Sequence, residues 1–333
     1  MEPRWSLSRV AMWYSKSYPI RGVNYLPRTA VNATEMWQRE SFDIPTIAQE
    51  LKWARRLGFN SLRIFLPFIV WEEDAAGMKS RLDNFLDVAA DLGFRSVPVF
   101  FDDCAFSGAE PRLGKQPDPV PGIHNSRWTP SPGTRFSEVE SGPQTALRAF
   151  VQETIASLMS DSRILMWDLY NEPGNGGRDG QTQWLVDRAF DWAREVNPSQ
   201  PLTSGIWRDF DSINSRKLLD LSDVLSFHFY EDLEDGTWQF LRALLTTCER
   251  PAVCTEMLNR LANNTFERFL PILDTGRMGW FSWGLVAGRT QTYLPWNFQP
   301  GDEASRFWQH DLLYADGSVY DAAEARLLSS ALT

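Results

Sequence analysis

The chain holds 333 residues, 43% apolar and 23% charged, a globular balance that excludes a disordered, collagen-like or coiled-coil chain. Its 33 lysines and arginines against 43 aspartates and glutamates leave a net charge of −10, a poor match for a phosphate backbone, so no nucleic-acid partner is expected. No stretch approaches the ~18 consecutive apolar residues of a membrane span, and the first ten residues lack the apolar core of a secretory signal, so the sequence predicts a cytoplasmic protein without a membrane partner.

Short apolar runs alternate with amphipathic stretches along the chain, the pattern of repeated β-α units over a parallel sheet. The first predicted strand runs from Ile20 to Tyr25, followed by a helix from Pro45 to Leu57 capped by Asp43 or Ser41. A second strand at Ser61 to Leu66 leads to a helix from Met78 to Leu92, and Gly93 suits its left-handed C-terminal cap. The third strand, Arg95 to Phe101, contains Pro98, which cannot donate a ladder hydrogen bond, so a bulge or a late start is expected there. A long segment from Asp102 to Gly142 follows, rich in Pro, Gly and Asn and carrying His124, Asn125 and Trp128; its length points to a functional loop.

A helix at Gln144 to Met159 precedes the fourth strand, Arg163 to Leu169, and the next helix, Gln183 to Val196, stops before Pro198. Strands five to eight are read at Pro201 to Gly205, Val224 to His228, Ala252 to Thr255 and Met278 to Trp283, with a closing helix at Ala322 to Leu332. Eight units with no linker, low-complexity tract or repeat predict one domain over residues 1–333, a barrel core of about residues 20–285 and a C-terminal loop and helix over 286–333. The expected fold is a single (β/α)8 TIM barrel with extended loops at its C-terminal face.

In such a barrel the reactive groups lie where strands run out into loops. The residues at those exits are Asn24, Arg63, Asp102 with Asp103, Asn171 with Glu172, Trp207, His228 with Tyr230, Glu256 and Trp283. Glu172 and Glu256 stand out because each ends an apolar strand, where burial disfavours a charge unless donors or cations compensate. The chain also has 15 Trp and 21 Phe, and those beside polar residues in loops offer flat faces on which a sugar can stack.

The run Trp167-Asp168-Leu169-Tyr170-Asn171-Glu172-Pro173 resembles the acid/base motif of clan A glycoside hydrolases. With Arg63 at the second exit, His228-Phe229-Tyr230 at the sixth, Glu256 at the seventh and Trp283 at the eighth, the chain is similar to glycoside hydrolase family 5, the cellulase-like family. That resemblance implies retaining hydrolysis, with Glu172 as acid/base and Glu256 as nucleophile, a pair that this chemistry places ~5–5.5 Å apart. Arg63 and Tyr230 would hold Glu256 ionised, and the charge on Glu256 would keep Glu172 protonated. Asn171 would bond the sugar 2-hydroxyl, His228 a sugar hydroxyl or the neighbourhood of Glu172, and Trp283 would floor the glycone subsite. Asp102, His124 and Trp207 complete the expected substrate-binding set.

Other signals are weaker. Asp102 and Asp103 are too few to hold a metal, and neither metal nor cofactor is expected. The odd cysteines Cys104, Cys248 and Cys254 lack zinc or disulfide spacing, and His310 reads as surface or packing. Gly174-Asn175-Gly176-Gly177 lacks the Lys-Ser/Thr of a phosphate loop, and Lys115, Arg289 and Gln291 sit in loops that could narrow the pocket. The expected activity is exo-action on β-linked oligosaccharides or short glycosides. A retaining α-L-arabinofuranosidase or β-D-galactofuranosidase, a non-catalytic carbohydrate-binding barrel and a metal-dependent aldolase or isomerase are the competing readings. Oligomeric state is left open.

Overall fold

In the computed structural model, which describes residues 4–133, 144–178, 180–298 and 307–330, the apolar runs form eight parallel strands. They are β1 (Arg21–Asn24), β2 (Ser61–Phe65), β3 (Arg95–Asp102), β4 (Trp167–Asn171), β5 (Leu202–Thr203), β6 (Leu225–His228), β7 (Ala252–Met257) and β8 (Gly279–Trp283). Their order is β5-β4-β3-β2-β1-β8-β7-β6. A parallel bridge between Ile206 and Phe227 joins the two ends, and helices alternate with the strands, which makes the fold a (β/α)8 barrel.

Sequence expectation and structure agree in most elements and differ in three instructive ones. Asp43 caps the helix Ile44–Arg56 by accepting from the Thr46 N–H, with Pro45 in the first turn, and Gly93 is left-handed (φ 80°) after the helix Ala75–Asp91. That helix starts earlier than its apolar spacing predicted because Asp74 caps it. β4 begins at Trp167 instead of Arg163. Between the Ser96–Ile164 bridge and the Val99–Asp168 pair, three steps along β3 face four along β4. The extra residue lies opposite Pro98, whose missing N–H breaks the ladder there; β3 itself stays in register with β2, Pro98 pairing Ile64. The disturbance expected in β3 is thus borne by its neighbour.

The third difference is a helix, Leu7–Ser17, that the strand-led reading did not anticipate. Its Val10 and Tyr14, with Trp5, pack on Val97, Val224, Val253 and Phe281 at the N-terminal ends of the strands and plug that mouth of the barrel. Each such fully buried side chain contributes ~1.5–3 kcal/mol of apolar burial. Gly22 is required beside this layer, since a Cβ there would overlap the Phe281 ring. The Tyr14 hydroxyl donates to the Arg277 carbonyl at 2.7 Å and accepts from the Gly279 N–H at 2.7 Å, which fixes the start of β8. With the floor sealed, the open end is the C-terminal face. Among the described residues no helix is long and apolar enough to cross a membrane.

Two outcomes are expected. Tyr14→Phe leaves the Gly279 N–H without its acceptor and lowers unfolding stability by about 1–3 kcal/mol in a urea titration. Asp311, fully buried beyond β8 with the Thr292 hydroxyl 3.0 Å from each carboxylate oxygen, is pushed up to about 7 by burial. The folded protein therefore keeps a proton that the unfolded chain has lost between about pH 4 and 7. Stability contributed by this group falls as pH rises through that window, by at most about 1.4 kcal/mol per unit. Unfolding of Asp311→Asn, followed against pH, has a flatter slope there.

Candidate active site

Arg63 of β2 sits fully buried at the C-terminal end of the barrel, and its guanidinium binds groups from three other strands. Nη1 donates to Asn24 Oδ1 of β1 at 2.9 Å and to Glu256 Oε1 of β7 at 2.6 Å. Nη2 donates to Asn171 Oδ1 of β4 at 2.7 Å, while Nε donates to Asp168 Oδ2 at 2.9 Å, an oxygen that Nη2 also meets at 2.9 Å. Four hydrogen bonds and this further ion-pair contact hold the guanidinium. Asn24 in turn donates to the Thr255 and Ser282 carbonyls at 2.9 and 3.2 Å, binding β1 to β7 and β8 at the same level.

Backbone irregularities aim the two glutamates. Along β7, Val253 belongs to the inner layer and Cys254 to the outer core, so strict alternation would send Glu256 outward with Cys254. The register shifts between Phe227–Cys254 and His228–Glu256, and this bulge returns Glu256 to the interior. Glu172, just past β4, has a left-handed backbone (φ 45°), uncommon for a residue with a Cβ, and the Asn175 N–H donates to its carbonyl at 3.0 Å. One carboxylate oxygen from each glutamate and one nitrogen of His228 all lie within 4.8 Å of one another.

Each carboxylate is heavily bonded. Glu172 Oε1 lies 2.8 Å from His228 Nδ1; its Oε2 accepts from Asn175 Nδ2 at 2.5 Å and from the Cys104 thiol at 3.1 Å. Glu256 Oε2 accepts the Tyr230 hydroxyl at 2.8 Å and lies 3.4 Å from His228 Nδ1. Burial acts on both groups and pushes each up. On Glu172 the bond and charge of His228, followed by Cys104 and Asn175, outweigh burial and hold the carboxyl below its usual range. On Glu256 burial, reinforced by the charge of Glu172, prevails over His228, Arg63 and Tyr230 and holds it above. This order is the reverse of the one expected from the sequence, and its cause is His228, whose Nδ1 lies 2.8 Å from Glu172 and 3.4 Å from Glu256 and acts more strongly on the nearer carboxylate.

A cavity of about 490 Å³ opens over this pair and contains Asn171, Glu172, Trp207, Tyr230, Glu256, Trp283 and His124 in its wall. His228 reaches the carboxylates from beneath and Arg63 lies below them. Asp102 does not face the cavity. Its oxygens are taken by Asn171 Nδ2 (2.8 Å), the Cys104 N–H (2.9 Å) and Trp128 Nε1 (2.7 Å), so it orients Asn171 and Trp128 from behind; burial pushes its carboxyl up to about 7. His310, read as surface or packing, is fully buried and borders the cavity. Gln291 donates to the Val120 and Ile123 carbonyls at 2.7 and 3.0 Å, and Arg289 meets Asp118 at 3.2 Å, so both brace the loop that carries His124.

Sequence reasoning missed three contributors. Asp168 is hidden inside a strand, where nothing but its polarity among apolar neighbours marks it. Cys104 and Asn175 follow the strand exits by two to four residues, whereas Trp296, one of the loop tryptophans beside polar residues, does line the cavity. Glu172, His228 and Glu256 also satisfy a distance test for a metal site. Their donor atoms, however, already face Arg63, Tyr230 and Asn175, and a guanidinium 2.6 Å from Glu256 repels a divalent ion. The arrangement suits a pair of acid–base carboxylates.

Residues 121–276 match the cellulase family model, glycosyl hydrolase family 5. No curated protein sequence matches the chain. Among solved structures, the chain is similar to an exo-β-1,4-mannosidase from Opitutaceae bacterium strain TAV5 (TM-score 0.63, 19% identity), covering 93% of this chain and 58% of the mannosidase, so this chain spans little more than half of that protein. It is also similar to a GH5_18 variant from Streptomyces cattleya solved in complex with Manβ1-4GlcNAc (TM-score 0.62, 15% identity; 94% of this chain, 80% of that one). A third is the endo-β-1,4-mannanase from Thermotoga petrophila (TM-score 0.61, 14% identity; 96% and 77%). The likeness carried by Asn171-Glu172-Pro173 and the family model over residues 121–276 therefore agree on glycosyl hydrolase family 5.

Proposed function

We propose that this protein is a retaining, exo-acting O-glycosidase and that its substrate is a β-linked mannoside or a similar short β-glycoside, handled by one catalytic barrel without metal or cofactor. The observation that carries the reading is the pair of carboxylates within 4.8 Å across one cavity, from the exits of β4 and β7. That spacing leaves no room for a water between attacking carboxylate and sugar and favours a covalent glycosyl-enzyme over direct hydrolysis. The mannoside and the exo-action take their support from the names of two similar structures, and the exo-action also from the wall that His124, Phe106 and Trp296 raise at one side of the cavity.

In this mechanism Glu256 attacks the anomeric carbon. Arg63 neutralises its charge at 2.6 Å and the Tyr230 hydroxyl steadies the other oxygen. Both of these groups donate, so a proton on Glu256 would lose a partner. Glu172 is the acid, and His228 Nδ1, 2.8 Å from its Oε1, is the neighbouring group through which a proton reaches it. Glu172 gives that proton to the departing oxygen as the glycosidic bond breaks. Once Glu256 is esterified its charge is gone, and Glu172 takes a proton from the water that frees the sugar. Asn171 keeps one amide hydrogen on Asp102; the other meets only Cys104 Sγ, a weak acceptor at 3.5 Å, and is available to a sugar 2-hydroxyl.

The test uses aryl β-glycosides in pyranose and furanose forms. Glu172→Ala lowers kcat/KM on a poor leaving group by about 10²–10⁴-fold, less on an activated one, and with azide yields a glycosyl azide of retained configuration. Glu256→Ala loses at least as much, and azide rescues it to the inverted product. Near-normal turnover by either variant contradicts the assignment. Sugar binding without turnover by the unaltered protein identifies a carbohydrate-binding barrel instead.

A further inference from the structure

Two histidines at the cavity wall take no part in the chemistry above. His124 comes from the loop after β3 and His310 from the segment after β8, and both are buried. His124 Nδ1 lies 2.7 Å from the Leu294 carbonyl oxygen and His310 Nδ1 2.5 Å from that of Leu258. A carbonyl only accepts, so each Nδ1 carries the ring's proton and each Nε2 is a bare acceptor. His310 Nε2 is buried without a hydrogen-bond partner, although its ring borders the cavity. The rings meet at 5.5 Å and 69°, and Trp296 lies 5.5 Å from His310 and 6.5 Å from His124. The Tyr230 ring, whose hydroxyl holds Glu256, is 5.6 Å from His310, so the cluster begins one ring away from the attacking carboxylate.

We propose that His124 and His310, with the indole of Trp296, form a specificity-determining subsite whose Nε2 atoms accept hydrogen bonds from the hydroxyls of an uncharged sugar unit and turn away a uronic acid. The proposal rests on the glycosidase reading for the identity of the sugar. A buried acceptor with no partner in the protein is satisfied by a ligand O–H. A carboxylate brings acceptors alone and would face two lone pairs in a dry wall, where unpaired polar groups are costly. Burial holds His124 down at about 4 and His310 well below its usual value, with the His124 ring also opposing charge on His310, so neither becomes a cation that could attract an anion near neutral pH. The Trp296 face supplies the apolar surface for the sugar's C–H bonds.

Asparagine and glutamine separate the two ring nitrogens. In His310→Asn and His124→Asn the amide nitrogen stands near Nδ1 and keeps the bond to the Leu258 or Leu294 carbonyl, while nothing remains at Nε2; in the Gln variants an amide stands near Nε2. The probes are 4-nitrophenyl β-D-mannopyranoside, its 4-deoxy and 6-deoxy analogues and the corresponding β-D-mannuronide. On the parent glycoside each Asn variant loses about 10–100-fold in kcat/KM, chiefly through KM, as expected when a hydrogen-bonding site loses one partner. On the deoxy analogue that lacks the recognised hydroxyl the loss is small, the Gln variants recover part of it, and the mannuronide is a poor substrate for the unaltered protein. Asn variants that rank parent and deoxy sugars as the unaltered protein does, or efficient turnover of the mannuronide, overturn the proposal. Calorimetric binding of methyl β-D-mannopyranoside in a Glu256→Ala background gives the same comparison without turnover: weakened binding in the Asn variants supports the subsite even if no aryl glycoside is cleaved, and unchanged or absent binding sinks it. If His310→Asn fails to fold, His124→Asn carries the comparison alone.

Discussion

A single buried guanidinium organises this molecule. Arg63 makes four hydrogen bonds that draw Asn24, Asp168, Asn171 and Glu256 to one point, and so sets β1, β2, β4 and β7 at a common level. A charge this deep is tolerated because the carboxylates of Asp168 and Glu256 balance it, and removal of one partner from such a group costs about 3–5 kcal/mol. The same contacts that stabilise the barrel's rim fix the orientation of Asn171 and Glu256, so structure and chemistry share their supports.

Around that point the functional groups are placed by departures from regular geometry. A bulge turns Glu256 inward, a left-handed residue turns Glu172 across the opening, and His228 stands between them at 2.8 and 3.4 Å. Behind them Asp102 holds Asn171 and Trp128, and Asp103 accepts from Tyr170 and the Gly174 N–H at 2.8 and 2.7 Å. Rigid supports of this kind keep reacting groups aligned without reorganisation during the reaction. The 2.8 Å contact of His228 Nδ1 with Glu172 gives a carboxyl held low among donors a neighbour through which a proton can reach it.

Much of the barrel was legible because apolar runs and amphipathic stretches alternate at the spacing of β-α units, and the strand exits follow from those runs. What resisted reading depends on contacts between distant segments. The helix Leu7–Ser17 has only a short apolar face, Val10 and Tyr14, and its partners are the bottoms of strands far along the chain. Asp102 stands at a strand exit, as the rule for reactive groups requires, but its oxygens are taken by the Asn171 amide, the Cys104 N–H and the Trp128 indole, partners from separate segments, so it does not line the cavity. His310 looks like an isolated histidine until the fold sets it against His124 and Trp296. The order in which Glu172 and Glu256 hold protons was inaccessible for the same reason, since it follows from the position of His228.

The account depends on Glu172 and Glu256 acting as a close pair through a covalent intermediate, and the configuration of the sugar when it is first released tests this most directly. Proton NMR of the anomeric signals in the first minutes of hydrolysis of a β-glycoside, before mutarotation, should show the β-anomer appearing first. Initial release of the α-anomer would require a water between the carboxylates and would contradict the account.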